Sequence, residues 1–60
     1  MAEKIIELYT EKFGLTDDDG NKTVYEHDGS RYIVLGNCEY NVDDLTEEES
    51  RHLIMLIREW

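Results

Sequence analysis

Residues 22–42 read KTVYEHDGSRYIVLGNCEYNV. Two dipeptides, Asp28-Gly29 and Gly36-Asn37, divide this stretch into three β-prone runs. Asp-Gly and Gly-Asn are signals for two-residue hairpin loops, because those turns need positive φ at their centre. Three runs joined by two tight turns predict a three-stranded antiparallel meander. The turn length then sets the register. Across the first turn His27 faces Ser30, Glu26 faces Arg31, Tyr25 faces Tyr32 and Val24 faces Ile33. Across the second, Leu35 faces Cys38, Ile33 faces Tyr40 and Arg31 faces Val42.

Side chains alternate between the faces of a strand, so the register partitions the sheet. One face collects Val24, Ile33, Leu35, Cys38, Tyr40 and Val42, with Glu26 and Arg31 as a cross-strand charge pair near one end. The other collects Thr23, Tyr25, His27, Ser30, Tyr32, Val34, Glu39 and Asn41. A meander alone is not stable in water, so the apolar face needs a cover.

The flanking segments supply it. Over Ala2–Phe13, the residues Ala2, Ile5, Ile6, Tyr9 and Phe13 recur at helical spacing, with Leu8 at the edge of the stripe. Glu3 and Glu7 sit early and Lys12 late, as the helix dipole favours. Gly14 is expected as a left-handed cap, with Leu15 folded back on the last apolar turn. At the other end, Thr46 and Glu49 have the spacing of a capping box, which starts a helix running to about Glu59. Leu53, Leu56, Ile57 and Trp60 form its main stripe, with Ile54 beside it and Met55 pointing away. Five apolar residues in a row, Leu53–Ile57, suggest burial on more than one side. The expected fold is α+β in the order α-β-β-β-α, a single small domain over residues 1–60. Both helices pack on one face of the sheet and the other face stays open.

Sixty residues support only a small core, and the single cysteine, Cys38, allows no internal disulfide. On the apolar face it reads as a small hydrophobe. Fifteen acids against six bases give a net charge of −9. That balance argues against direct nucleic-acid binding, which needs bases to displace counterions. It also disfavours an anionic membrane and favours a basic or mixed protein surface. No run is long enough to span a membrane and no signal peptide is evident, so a cytoplasmic protein is expected. Part of the acidity serves solubility in any reading.

Chemistry-bearing patterns are sparse. The loop Thr16–Asn21 reads TDDDGN. An EF-hand aligned on Gly20 would place Asp17 and Asp19 at ligand positions, but Leu15 at the first and the strand residue Glu26 at the last. It supports at most weak calcium binding at Asp17–Asp19, and a solvated turn is the plainer reading. His27 beside Asp28, and Glu48 one turn before His52, give two ligands each, too few for a metal site. No phosphate loop, nucleophile elbow or zinc spacing is present, so neither an enzyme nor a cofactor is expected.

Interaction residues are easier to find. Tyr25 and Tyr32 form an opposed pair on the open face beside Val34, the composition of a docking patch with a polar rim. Met55 and Trp60 form a second apolar patch. Asp43, Asp44, Glu47 and Glu48 line the approach to the last helix. The leading expectation is a non-enzymatic protein that binds, and so inhibits or regulates, another protein. A homodimer through the Tyr25/Tyr32 or Met55/Trp60 surface is the second. The third is nucleic-acid mimicry, with Asp17–Asp19 and the acids of 43–49 imitating a phosphate track. Size, acidity and the lack of proline resemble accessory proteins of phages and mobile elements, a likeness of composition alone.

Overall fold

In a computed structural model, which describes every residue from Met1 to Trp60, both turns form where the glycines place them. Asp28 and Gly29 both have positive φ, 52° and 80°, as a type I′ turn requires. In the second turn only Gly36 is positive, at 63°, the φ signature of type II′. Three strands follow: β1 (Val24–His27), β2 (Ser30–Leu35) and β3 (Cys38–Asn41), in the spatial order β1-β2-β3. The pairs Tyr25/Tyr32, Val24/Ile33, Ile33/Tyr40 and Leu35/Cys38 fall in the expected register. The Val42 N–H donates to Arg31 O at 2.9 Å, which carries that register one residue past β3.

Helix α1 (Ala2–Phe13) precedes the sheet and α2 (Glu47–Glu59) follows it. Both cover the same face. Ile5 and Tyr9 from α1, with Leu53 and Ile57 from α2, close over Ile33, Leu35 and Val42 to make one buried cluster. Three of these side chains, Ile5, Ile33 and Ile57, are completely buried. Ser50 is buried too, because it falls one turn before Leu53 on the inward stripe. The capping box is complete: the Glu49 N–H donates to Thr46 Oγ1 at 3.1 Å and the Thr46 N–H to Glu49 Oε1 at 2.9 Å.

A core of seven residues is thin, and three polar contacts tie the elements together around it. The first replaces a missing ladder bond. The Val34 N–H donates to Thr23 O at 3.0 Å, but the Thr23 N–H turns away to Leu15 O at 2.9 Å. The Val34 carbonyl accepts instead from the hydroxyl of Tyr9, which is 2% exposed. Thus α1 is hydrogen-bonded to the central strand. In the second contact, Lys12 Nζ reaches across to the end of α2, 2.7 Å from Ile57 O and 3.1 Å from Arg58 O. Carbonyls left without partners at a helix C-terminus gain a cation there. In the third, Arg31 grips Asp43 through both carboxylate oxygens, Nε to Oδ2 at 3.1 Å and NH2 to Oδ1 at 2.7 Å, while its backbone N–H adds a bond of 2.7 Å to Oδ2.

Several expectations need correction. Arg31 takes Asp43, with Glu3 at 3.7 Å, rather than the facing Glu26, because only Asp43 meets both its backbone and its fork. Cys38 has the inward parity but is exposed, since it lies at the hairpin end. Gly14 has φ 80° but ψ −167°, so it is not a left-handed cap, and Leu15 is 61% exposed instead of folded back. Its carbonyl is held by Thr23, which directs the chain onward to β1. Trp60 lies beyond the last residue of α2 and is 60% exposed. Its ring rests on the second turn, where a Cβ at Gly36 would come within 3.1 Å of it. Finally, α2 buries a single stripe and not more than one side, while Met55 points away as expected and is 57% exposed.

Two outcomes test this account. Tyr9→Phe leaves the Val34 carbonyl without its donor, and denaturant unfolding should show a loss of about 1–3 kcal/mol. The Arg31 guanidinium and backbone N–H hold the Asp43 carboxyl at about 2, below its ordinary 3.8. A carboxyl depressed on folding stabilises above its unfolded value, and that contribution fades as pH falls through the folded one. Thermal unfolding of Asp43→Asn should therefore show a lower Tm at neutral pH, with the gap to the parent closing between about pH 3.8 and about pH 2.

Candidate functional site

The outer face of the sheet carries no helix, and its central feature is aromatic. Register places Tyr25 and Tyr32 opposite each other, and their rings stack with centroids 5.2 Å apart and planes within 6°. His27, next along β1 on this face, meets Tyr32 edge-on at 6.4 Å. Val34 lies beyond Tyr32 on the same strand, so the tyrosines and the valine are half-buried against one another while facing water. The rim is polar. Asn41, opposite Tyr32, places Nδ2 3.5 Å from its hydroxyl. The Asn41 Oδ1 is fixed by the Asp43 N–H at 3.0 Å. Glu39 approaches Tyr25, and partial burial together with this carboxylate pushes the Tyr25 phenol above its ordinary value. The stack is thus amphipathic and framed by groups that can donate and accept.

A second concavity lies on the opposite side of β3. It is a groove of about 880 Å³ lined by Tyr40, Leu45, Leu53, Met55 and Leu56, with Glu48 and His52 among its polar residues. Met55 and Glu48, both expected as interaction residues, meet here. Sequence parity assigns Tyr40 and Leu56 to the core, yet both are only half-buried and form the groove wall. Burial, with Cys38 beside it, raises the Tyr40 phenol.

The acids divide into two sets. Asp43 is bound to Arg31, and Glu49 is held by the Thr46 amide, which lowers the pKa of its carboxyl. Asp17 Oδ1 accepts from the Asp19 and Asn21 amides, both at 2.9 Å, inside a small loop closed by the Thr16–Lys22 bridge. These three serve local structure. Asp18, Asp19, Asp44, Glu47 and Glu48 remain exposed. The Asp17 carboxylate is occupied by backbone donors that a calcium ion would have to displace. No group of three or more His, Cys, Asp and Glu side chains converges to hold a metal ion. No helix is long and apolar enough to cross a membrane.

The Tyr25–Glu39 neighbourhood can be read by titration. A carboxylate beside a phenol opposes its ionisation. Glu39→Gln should move the Tyr25 ring-carbon NMR titration to lower pH, leaving the part due to burial. An unchanged midpoint would place Glu39 elsewhere in solution.

Comparison with protein-family models, with curated proteins and with solved structures finds no match to this chain.

Proposed function

We propose that this protein is a small non-enzymatic interaction module. It docks on a basic or mixed protein surface through the outer face of its sheet, and by occupying that surface inhibits or regulates its partner. The observation that carries this reading is the stacked Tyr25/Tyr32 pair beside Val34, on a face no element of the chain covers. Tyrosine offers a large contact area with only two side-chain torsions to order, and a hydroxyl for the partner to bond. Such residues dominate binding energy where a polar rim excludes water around them.

Charge supplies the partner's sign. The chain carries −9, and two of its six bases, Lys12 and Arg31, are engaged internally. The Arg31–Asp43 pair removes one charge of each sign, so the net −9 is unchanged and steers encounter with a basic surface. Mimicry of nucleic acid is less well supported, because Asp17, Asp43 and Glu49 are engaged by their own backbone or by Arg31. The exposed, unpaired thiol of Cys38 fits a reducing compartment such as the cytoplasm.

The test is affinity capture from the source cells with the full chain as bait. Tyr32→Ala should lose the partner by at least tenfold, about 1.4 kcal/mol. The double variant Glu47→Gln, Glu48→Gln should mainly slow association and reduce its salt dependence. If Tyr32→Ala retains the partner and the acid variant loses it, the acidic edge is the site and the sheet face is not.

A further inference from the structure

The edge of β3 and the groove beneath it form a second, separate site. The sheet order is β1-β2-β3, so β3 has a neighbour on one side only. Hydrogen bonding alternates along a strand. Leu35/Cys38, Ile33/Tyr40 and Arg31/Val42 are the bonded pairs, as the Val42-to-Arg31 bond fixes. Glu39 and Asn41 consequently turn their backbone groups outward. The Asn41 carbonyl is taken by the Asp44 N–H at 3.4 Å, while the Glu39 N–H and C=O and the Asn41 N–H have no partner in the chain. The opposite edge, at β1, has no apolar groove beside it.

Immediately inside this edge is the groove of about 880 Å³ floored by Tyr40, Leu45, Leu53 and Leu56. Its size lies within the ~300–1,000 Å³ of pockets that hold ligands. A strand added to β3 would extend both faces of the sheet. Its alternate side chains would enter the groove, and the intervening ones would lie beside the Glu39 carboxylate on the outer face. We propose that this site receives an extended segment of another protein, alternately apolar and basic, as a fourth strand. Apolar residues match the groove, and Lys or Arg match Glu39 on the outer face. The same charge argues against a second copy as occupant, since two chains of −9 repel. The site is independent of the tyrosine face: an added strand lies two strand spacings, about 10 Å, from Tyr32.

The probe is an acetylated, amidated peptide of sequence Lys-Val-Lys-Leu-Lys-Val-Lys, titrated into the full chain by NMR. Binding should slow hydrogen exchange at the Glu39 and Asn41 amides. Two N-methylated forms separate strand addition from charge attraction, one methylated on the lysines and one on the apolar residues. Only one set of peptide N–H groups faces β3, so one form should bind at least tenfold more weakly and the other about as tightly as the parent. Met55→Lys, at an exposed position on the groove wall, should weaken the parent peptide by at least tenfold, and Tyr32→Ala by less than about twofold. The proposal is overturned by no binding at about millimolar peptide, by equal effects of the two methylations, or by loss of binding in Tyr32→Ala. A dimer of the free protein that already protects the Glu39 amide also overturns it. None of these outcomes touches the captured partner of the tyrosine face, whose failure is read by Tyr32→Ala in the capture experiment alone.

Discussion

Strand alternation, pinned at two tight turns, is the constraint on which the rest depends. Asp28-Gly29 and Gly36-Asn37 each allow one register, and each register sends Ile33, Leu35 and Val42 inward and Tyr25 and Tyr32 outward. A slip of one residue would exchange the two sets. Each inward aliphatic is worth about 1.5–3 kcal/mol on burial, so the slip would cost more than any single turn or ion pair could restore. The helices respond to this partition and do not create it. Their stripes, Ile5/Tyr9 and Leu53/Ile57, have one apolar face to cover, and they meet over it.

What was legible in the sequence was local. A glycine turn, a capping box and a period-two or period-3.6 pattern each lie within a few residues, so the element order, the register and the covered face could be read directly. What was not legible depended on distance or depth. Parity assigned Cys38 to the inner face correctly, but parity does not say how far the helices reach, and the hairpin end lies beyond their cover. Lys12 looked like a dipole-matching residue of its own helix, yet its ammonium serves the carbonyls of the other. Arg31 had a facing acid in Glu26, but a carboxylate that also meets the arginine's own backbone N–H makes three bonds where a cross-strand neighbour makes fewer. On the outer face the tyrosine pair was readable from register alone. The groove was not, because Tyr40, Leu45 and Leu56 each resemble core residues until the edge of the sheet is located.

The polar cross-links also show where the scarce bases are placed. Arg31 joins the centre of the sheet to the segment leading into α2, and Lys12 joins the two helices at the far end of α2. Both use a base where the chain has few. Each such use ties elements together around a thin core. Two of the six bases are thus committed to holding elements together.

A two-layer fold of this length cannot cover everything. Within residues 1–60 the two helices cover one face of three strands, and no element lies over the other face or along the outer edge. The run Leu53–Ile57 makes α2 apolar beyond the stripe it buries, and Met55 and Leu56 are left beside β3 with no third layer to receive them. Natural sheets protect such edges with charge, brevity or a covering loop. Here β1 and β3 are both short, four residues each, and Glu39 adds a charge beside the edge of β3. Glu39 deters a second acidic chain without closing the edge to a basic one. The same residue borders the tyrosine face and the open edge, so one carboxylate sets the charge of what can approach either side of β3.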